Sequence, residues 1–385
     1  MSTWWKTVND LDEHQKRVIG LPKDGNHLIV GPAGCGKTNL LLLRATFPTK
    51  VGIPDVTILT FGRVLKEFLV AGSGNYTFSP DKIQTYRQWG ASLLRANGIS
   101  FDNSGDFPDV RARLLEGLKE LADLGKSINV TDCILLDEAQ DYYAEEINVI
   151  SAFAVQIYAV GDDRQRVTEA KGGLAALETL CGNPVELKHH YRNGLKICRV
   201  ADGIRNEIDS EDGLEASSKY NEHEFESSAV AVAGLSLTQQ AAEAIKLIVT
   251  QLIAYPDETI GVLCPKQEDA AEVGAILLAS PLKDEVQVQS YAGGYTSFDP
   301  ARRIIVTTII SAKGLEFRAL HLLGMDKISR FRDLQKNLAF TGVTRAKTSL
   351  RIYSNKSVPG YLERGLNAIA GTSSAEPDLA DLFQV

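Results

Sequence analysis

At 385 residues the chain is long enough for two domains with cores of their own. Apolar residues make up 44% and charged residues 23%, the balance of an ordinary globular protein. A net charge of −8 argues against a general polyanion binder, although a local basic channel remains compatible with it. No apolar run is long enough to span a bilayer. Met1 to Lys6 lacks the charged-then-apolar layout of a secretory leader. The five cysteines form no C-x-x-C pair, so free thiols, a reducing cytoplasmic setting and no zinc site are expected. His189 and His190 are adjacent, and neighbours in a strand point to opposite faces, which argues against a metal pair.

In chain order, His27–Val30 reads as a short strand. It runs into Gly31-Pro32-Ala33-Gly34-Cys35-Gly36-Lys37-Thr38, a full match to G-x-x-x-x-G-K-[ST], and a helix is predicted from Thr38 to Ala45. Glycines there let backbone N–H groups wrap phosphates, and the helix N-terminus adds positive dipole. Lys37 can reach the β- and γ-phosphates, and the Thr38 hydroxyl can ligate Mg²⁺. By itself this loop does not separate helicases, kinases, transporters and GTPases.

Val56–Thr60, Cys133–Leu136 and Val155–Val160 read as further strands. Short apolar runs separated by helical patterns indicate a parallel sheet covered on both faces. Asp137 follows the strand Cys133–Leu136, at the sheet edge that faces the phosphate loop, where a carboxylate can hold Mg²⁺. Glu138 is then placed to orient and deprotonate water. Gly161-Asp162-Asp163-Arg164-Gln165 follows the next strand, so the Gln165 amide is expected to sense the γ-phosphate.

The second half repeats the scheme without a phosphate loop. Ile260–Cys264, Val286–Val288, Ile304–Thr308, Leu320–Leu323 and Leu350–Tyr353 read as strands, Ala241–Ile253 and Gln267–Leu278 as amphipathic helices. Arg192 and Arg345 belong to this half, and their guanidinium groups can complete a phosphate site across a cleft. The expected fold is α/β, with two RecA-like P-loop domains, parallel sheets and ATP in the interdomain cleft. The expected division is residues 1–185, with a short insertion at about 90–131, then 186–358, then a tail at 359–385. The acidic stretch from Glu207 to Glu226 reads as a surface excursion and the end from Gly371 onward as flexible.

With these residues in view, the chain resembles the UvrD/PcrA/Rep-type superfamily 1 helicases from about residue 11 to 355. Leu11-Asp12-Glu13-His14-Gln15 resembles the glutamine motif, which implies that Gln15 reads adenine. Thr60-Phe61 and Thr85-Tyr86-Arg87-Gln88-Trp89 resemble the two motifs that contact single-stranded DNA; Phe61 and Trp89 can equally be core residues. Leu187 to Asn193 resembles the motif in which Tyr191 stacks on adenine and Arg192 reaches the γ-phosphate. Thr308 to Phe317 is similar to a motif touching nucleotide and DNA, which implies nucleotide contacts from Gly314 and Glu316. Ala339 to Ala346 matches the motif ending in Arg345.

Three departures stand out. Ile310 replaces a usual histidine, Asn39 replaces an arginine that covers the adenine, and Val167 to Gly172 lacks the aromatics on which bases stack. The connections after Trp89 and after Val288 are also too short for the accessory subdomains of larger members. The resemblance implies an ATP- and Mg²⁺-dependent translocase moving 3′ to 5′ on single-stranded DNA, with RNA also open. Its reduced build implies, as the alternative, a nucleotide-gated switch subunit for a partner nuclease or other effector. No membrane partner is expected.

Overall fold

The computed structural model describes residues 5–50, 55–289, 297–330 and 333–370. Helix α1 (Glu13–Ile19) precedes β1 (His27–Val30) and α2 (Lys37–Lys50). Next come β2 (Val56–Thr60), α3 (Arg63–Ala71), β3 (Ile83–Thr85), α4 (Tyr86–Ala96) and α5 (Phe107–Asp123). Then follow β4 (Thr131–Leu136), α6 (Ala144–Ala152), β5 (Ala154–Gly161), α7 (Gly173–Cys181) and β6 (Val185–Glu186). These six strands form one sheet in the order β3-β2-β4-β5-β1-β6, and every pairing is parallel.

The second half opens with α8 (Leu195–Arg205) and α9 (Leu214–Ser217). It continues through β7 (Ser228–Val232), α10 (Leu237–Ala254), β8 (Ile260–Cys264), α11 (Gln267–Leu278) and β9 (Val286–Gln289). It closes with β10 (Ile304–Thr308), β11 (Phe317–Leu322), α12 (Asp333–Val343), β12 (Ala346–Tyr353) and α13 (Gly360–Ala370). Its six strands are also parallel, in the order β7-β12-β11-β8-β10-β9. The molecule is therefore α/β with two RecA-like domains.

The apolar runs are strands because both faces of each sheet are covered. All five residues of β2, β8 and β10 are buried, which only a doubly covered parallel sheet requires. Register then gathers the functional loops. Val30 pairs with Gly161, and Leu59 with Leu136, so the loops after β1, β2, β4 and β5 emerge at one edge.

The connection read as a short insertion is a covering helix. Leu114, Leu118 and Leu121 of α5 are buried in one cluster with Trp89 and Phe153. A Cβ at Gly90 would lie 2.9 Å from Leu114, which lets α4 and α5 cross closely. The tail expected from residue 359 is corrected over its first part. Residues 360–370 form α13, which packs on α8 where Gly203 meets Gly365: a Cβ on Gly203 would lie 2.5 Å from the Gly365 Cα. The end from Gly371 lies outside the described residues. Within the excursion from Glu207 to Glu226, Leu214 is buried, and the Asp202 carboxylate accepts from the Leu214 and Glu215 amides at 2.7 and 3.0 Å.

All five cysteines are free thiols. His190 is buried, with Nε2 against the Leu214 carbonyl at 2.7 Å, and burial pushes it down to about 4. Among the described residues no group of three or more His, Cys, Asp or Glu side chains could hold a metal ion. No described helix is long and apolar enough to cross a membrane.

Candidate functional site: the cleft between the two sheets

The loop after β1 turns through Gly34 and Gly36, at φ +79° and +87°, a region that side chains rarely adopt. A Cβ at Gly34 would lie 2.8 Å from the Cβ of Arg192, so the second half closes directly on the loop. The Lys37 ammonium donates to the Gly31 and Pro32 carbonyls at 2.7 and 2.9 Å. Gln15 Nε2 donates to the Cys35 carbonyl at 3.0 Å, while its backbone N–H caps on Asp12. Ala33 and Cys35 are buried behind the loop, and burial raises the Cys35 thiol pKa.

Thr38 Oγ1 donates to Asp137 Oδ2 at 2.9 Å. A hydroxyl and a carboxylate beside a phosphate loop are the oxygen donors that Mg²⁺ takes when it is held by one or two protein groups plus substrate phosphates. Burial, then the neighbouring Glu138, pushes the Asp137 carboxyl up to about 7. Glu138 adopts a left-handed backbone, φ 51° and ψ 45°, a conformation that concentrates at functional sites. Burial alone would raise its carboxyl, but Lys313, Arg345, Lys37 and a hydrogen bond from Gln140 hold it near 2. Two adjacent carboxylates are thus pushed in opposite directions.

Glu138 Oε2 accepts from Gln140 Nε2 at 2.5 Å and lies 3.3 Å from Lys313 Nζ. Gln140 Oε1 in turn accepts from the Asp162 amide at 2.9 Å. Gln165 Nε2 donates to Asp162 Oδ2 at 2.7 Å, and Gln165 Oε1 accepts from Arg345. Arg345 also donates to the Thr341 and Leu315 carbonyls, at 3.2 and 3.3 Å, and burial lowers it to about 10. Arg192 Nε donates to Glu316 Oε2 at 2.6 Å. Burial opposes ionisation of Glu316, yet Arg192 and Lys347 outweigh it and lower its pKa.

These groups converge. Lys37, Thr38, Asp137, Glu138, Arg192 and Arg345 are among the residues around a cavity of about 50 Å³. Gly34, Gly36, Asn39, Gln165, Gly314 and Glu316 share its wall. At Gly314 the halves touch: a Cβ there would lie 2.4 Å from Leu65 of α3. Beside the cavity, the Tyr191 amide donates to the Gly34 carbonyl at 3.1 Å and its phenol donates to Asp12. Tyr191 remains 39% exposed, and Asp12, the partner of its phenol, also caps the Gln15 amide. Asn39 is engaged as an acceptor, from the Tyr76 hydroxyl at 3.1 Å and the Lys6 amide at 3.3 Å.

The residues expected to touch nucleic acid divide. Thr60, Tyr86 and Trp89 are corrected to interior positions. Thr60 is fully buried, and Tyr86 and Trp89 are 5% and 6% exposed. The Tyr86 and Trp89 rings stack on each other, and Trp89 meets Phe153 edge-on. Their apolar bulk serves the core under α4. Thr85 caps α4 through the Gln88 amide at 3.2 Å. Phe61 and Thr85 do line a groove of about 760 Å³ that opens between the halves. Arg63, Arg87 and Arg95 give it positive charge, and Ile310, 46% exposed, sits on its opposite wall. Glu138 borders both the small cavity and this groove.

Sequence reasoning passed over Gln140, Asp141, Asp162 and Lys313 as site members. Lys313 Nζ pairs with Asp141 and donates to the Gln165 carbonyl at 2.9 Å. Burial opposes its charge, but Asp141 and Glu138 prevail and raise its pKa. Its position inside the Thr308 to Phe317 motif was the available signal.

Two parallel-sheet domains meeting at a phosphate loop define the class as a two-domain RecA-like P-loop protein. Residues 303–353 match the model of the UvrD-like helicase C-terminal domain. That stretch of the second domain, from β10 to β12, is therefore similar to the C-terminal domain of UvrD-like helicases, which suggests a helicase-type function. No curated protein matches the chain. Among solved structures, the C-terminal domain of a possible DNA helicase from Lactobacillus plantarum WCFS1 is similar at 16% identity, covering 45% of this chain and 92% of that one, with a TM-score of 0.33. That likeness is too low to argue from.

Proposed function

We propose that the protein is a nucleic-acid-dependent ATPase of UvrD type, which hydrolyses ATP to ADP and phosphate to move along single-stranded DNA. The observation that carries this reading is the meeting of Lys37, Thr38, Asp137 and Glu138 from one domain with Arg192 and Arg345 from the other around one cavity. The phosphates would lie on the N–H groups of Gly34 to Thr38. Thr38 and Asp137 would hold Mg²⁺, which supplies charge neutralisation on the β- and γ-phosphates when bound. Lys37 would exchange its two loop carbonyls for phosphate oxygens. Gln15 and Tyr191, both joined to Asp12, would take the adenine.

Glu138, whose carboxyl Lys313 and Arg345 hold below the usual range, faces the cavity. It would orient a water and take its proton as the water oxygen bonds to the γ-phosphorus. The bond from that phosphorus to the β,γ-bridging oxygen breaks, and ADP leaves. Arg192 and Arg345 would stabilise charge on the transferring phosphoryl, and Gln165 would report its loss through Arg345. Phe61, the groove arginines and Ile310 would take the strand. Movement from 3′ to 5′ is carried over from the family resemblance.

A second reading is favoured by one observation. With Tyr86 and Trp89 in the core, Phe61 is the aromatic of the two DNA motifs left on the groove, with Phe107 of α5 as the second ring beside it. Base stacking contributes about 1–3 kcal/mol per base, so a sparse platform grips weakly. Such a motor suits a nucleotide-gated switch that acts on a partner nuclease or effector. ATP turnover by purified protein, with and without oligothymidylate, separates the two, with Lys37→Ala as control. Stimulation lost in the control supports the motor. Turnover that ignores single-stranded DNA and RNA contradicts it and favours the switch.

A further inference from the structure

Arg111 lies on α5, outside every motif, and is 8% exposed. It holds Glu146 through Nε at 2.6 Å and through Nη2. A buried ion pair adds little stability over apolar packing of the same volume, so stability alone does not account for it. The same guanidinium makes other contacts that the pair does not require. Nη2 donates to the Asp141 carbonyl at 2.8 Å. The guanidinium carbon lies 5.1 Å from the centre of the Phe61 ring, 4.7 Å from Tyr143 and 6.0 Å from Phe107. Cation–ring contacts of this kind depend on the ring's position.

The Phe61 ring meets Phe107 and Tyr142 edge-on, with centres 6.1 and 5.8 Å away, and keeps a small space on its inner side. It lines the large groove on one side and, on the other, a cavity of about 30 Å³ shared with Phe107 and Arg111. A base stacked on Phe61 can press the ring toward that space, and Arg111 lies in the way. Beyond Arg111 the contacts are short and buried. The Asp141 side chain is fully buried, accepts from the Val167 amide at 3.1 Å and pairs with Lys313. Lys313 reaches Glu138 at 3.3 Å. Tight interiors transmit such shifts because packed side chains have few arrangements.

We propose that Arg111 is the positioning residue through which a strand stacked on Phe61 sets the Lys313–Glu138 contact in the ATP cavity. The proposal rests on the reading of the protein as a nucleic-acid-dependent ATPase. Arg111 touches neither nucleotide nor strand; it acts through Asp141 and Lys313.

The test compares unmutated protein with Arg111→Lys, which keeps the charge and loses the planar fork. Two quantities are read: the ratio of turnover with oligothymidylate to turnover without it, and the affinity for a fluorescein-labelled oligothymidylate. The ratio should fall about fivefold or more, the lower range of coupling between sites, while strand affinity changes less than about threefold. If Arg111→Lys is unfolded at the assay temperature, the double variant R111Q/E146Q, which removes both buried charges together, is measured in the same way. An unchanged ratio overturns the proposal. So does a matching fall in both turnovers, which marks a structural role, or a loss of strand affinity, which marks a direct contact. Absence of stimulation in the unmutated protein would remove the underlying reading as well.

Discussion

The small cavity proposed for ATP and the groove proposed for a strand share a wall at Glu138 and differ in almost everything else. The cavity is about 50 Å³ and bordered by ions that satisfy one another, with Lys313 and Arg345 reaching across from the second half to Asp141 and Gln165. The groove is about 760 Å³, and Phe61 and Ile310 face it without charge pairs of their own. The comparison teaches that nucleotide must exchange existing charge pairs to enter, whereas a strand has only to lie down. Charge deletions in the cavity should therefore cost orders of magnitude, and changes in the groove should be graded.

The largest effect is expected at the arginine that spans the halves. Arg345→Ala should lower ATP turnover about a thousandfold while nucleotide still binds, as for arginine fingers elsewhere. Steady-state kinetics with a separate nucleotide-binding assay checks this; near-normal turnover would remove Arg345 from the phosphoryl site. Glu138→Gln should follow, with turnover down about a hundredfold and ATP affinity kept. Normal hydrolysis by that variant would overturn its assignment as the base.

In the groove, Phe61→Ala should weaken binding of an oligothymidylate by about 1–3 kcal/mol, the value of one stacked base. Fluorescence anisotropy reads it, and an unchanged affinity would return Phe61 to the core. The smallest functional effect is expected at Trp89→Phe. It should lower unfolding free energy by about 1–3 kcal/mol and leave strand affinity alone. A selective loss of strand binding with normal stability would instead put Trp89 on the groove.

The same contrast explains what could be read from the chain. That Lys37, Thr38, Asp137 and Glu138 would meet at one place was legible because they follow parallel strands of one sheet, and the structure brings them around one cavity. Strands such as β2 and β10 were legible as apolar runs. By contrast β3 spans three residues, Ile83–Thr85, and β6 two, Val185–Glu186, too few for any periodicity to register. Trp89 and Tyr86 were misplaced because an aromatic side chain serves a base or a core equally well, and only packing decides. Helix α13 was hidden because its anchorage depends on Gly203 meeting Gly365, a contact between distant segments. Arg111 carried no local signal at all, since its significance lies in Phe61 and Asp141, which come to it from other loops.

The central claim is that cavity and groove are coupled through their shared wall. Coupling between two binding sites is reciprocal, so a strand that promotes ATP turnover by favouring one cavity arrangement must itself be bound differently when nucleotide is present. The direct measurement is the affinity of unmutated protein for labelled oligothymidylate with and without a non-hydrolysable ATP analogue and Mg²⁺. The account predicts a shift of about fivefold or more, in either direction. Identical affinities in the two conditions, with the analogue shown to be bound, would contradict it.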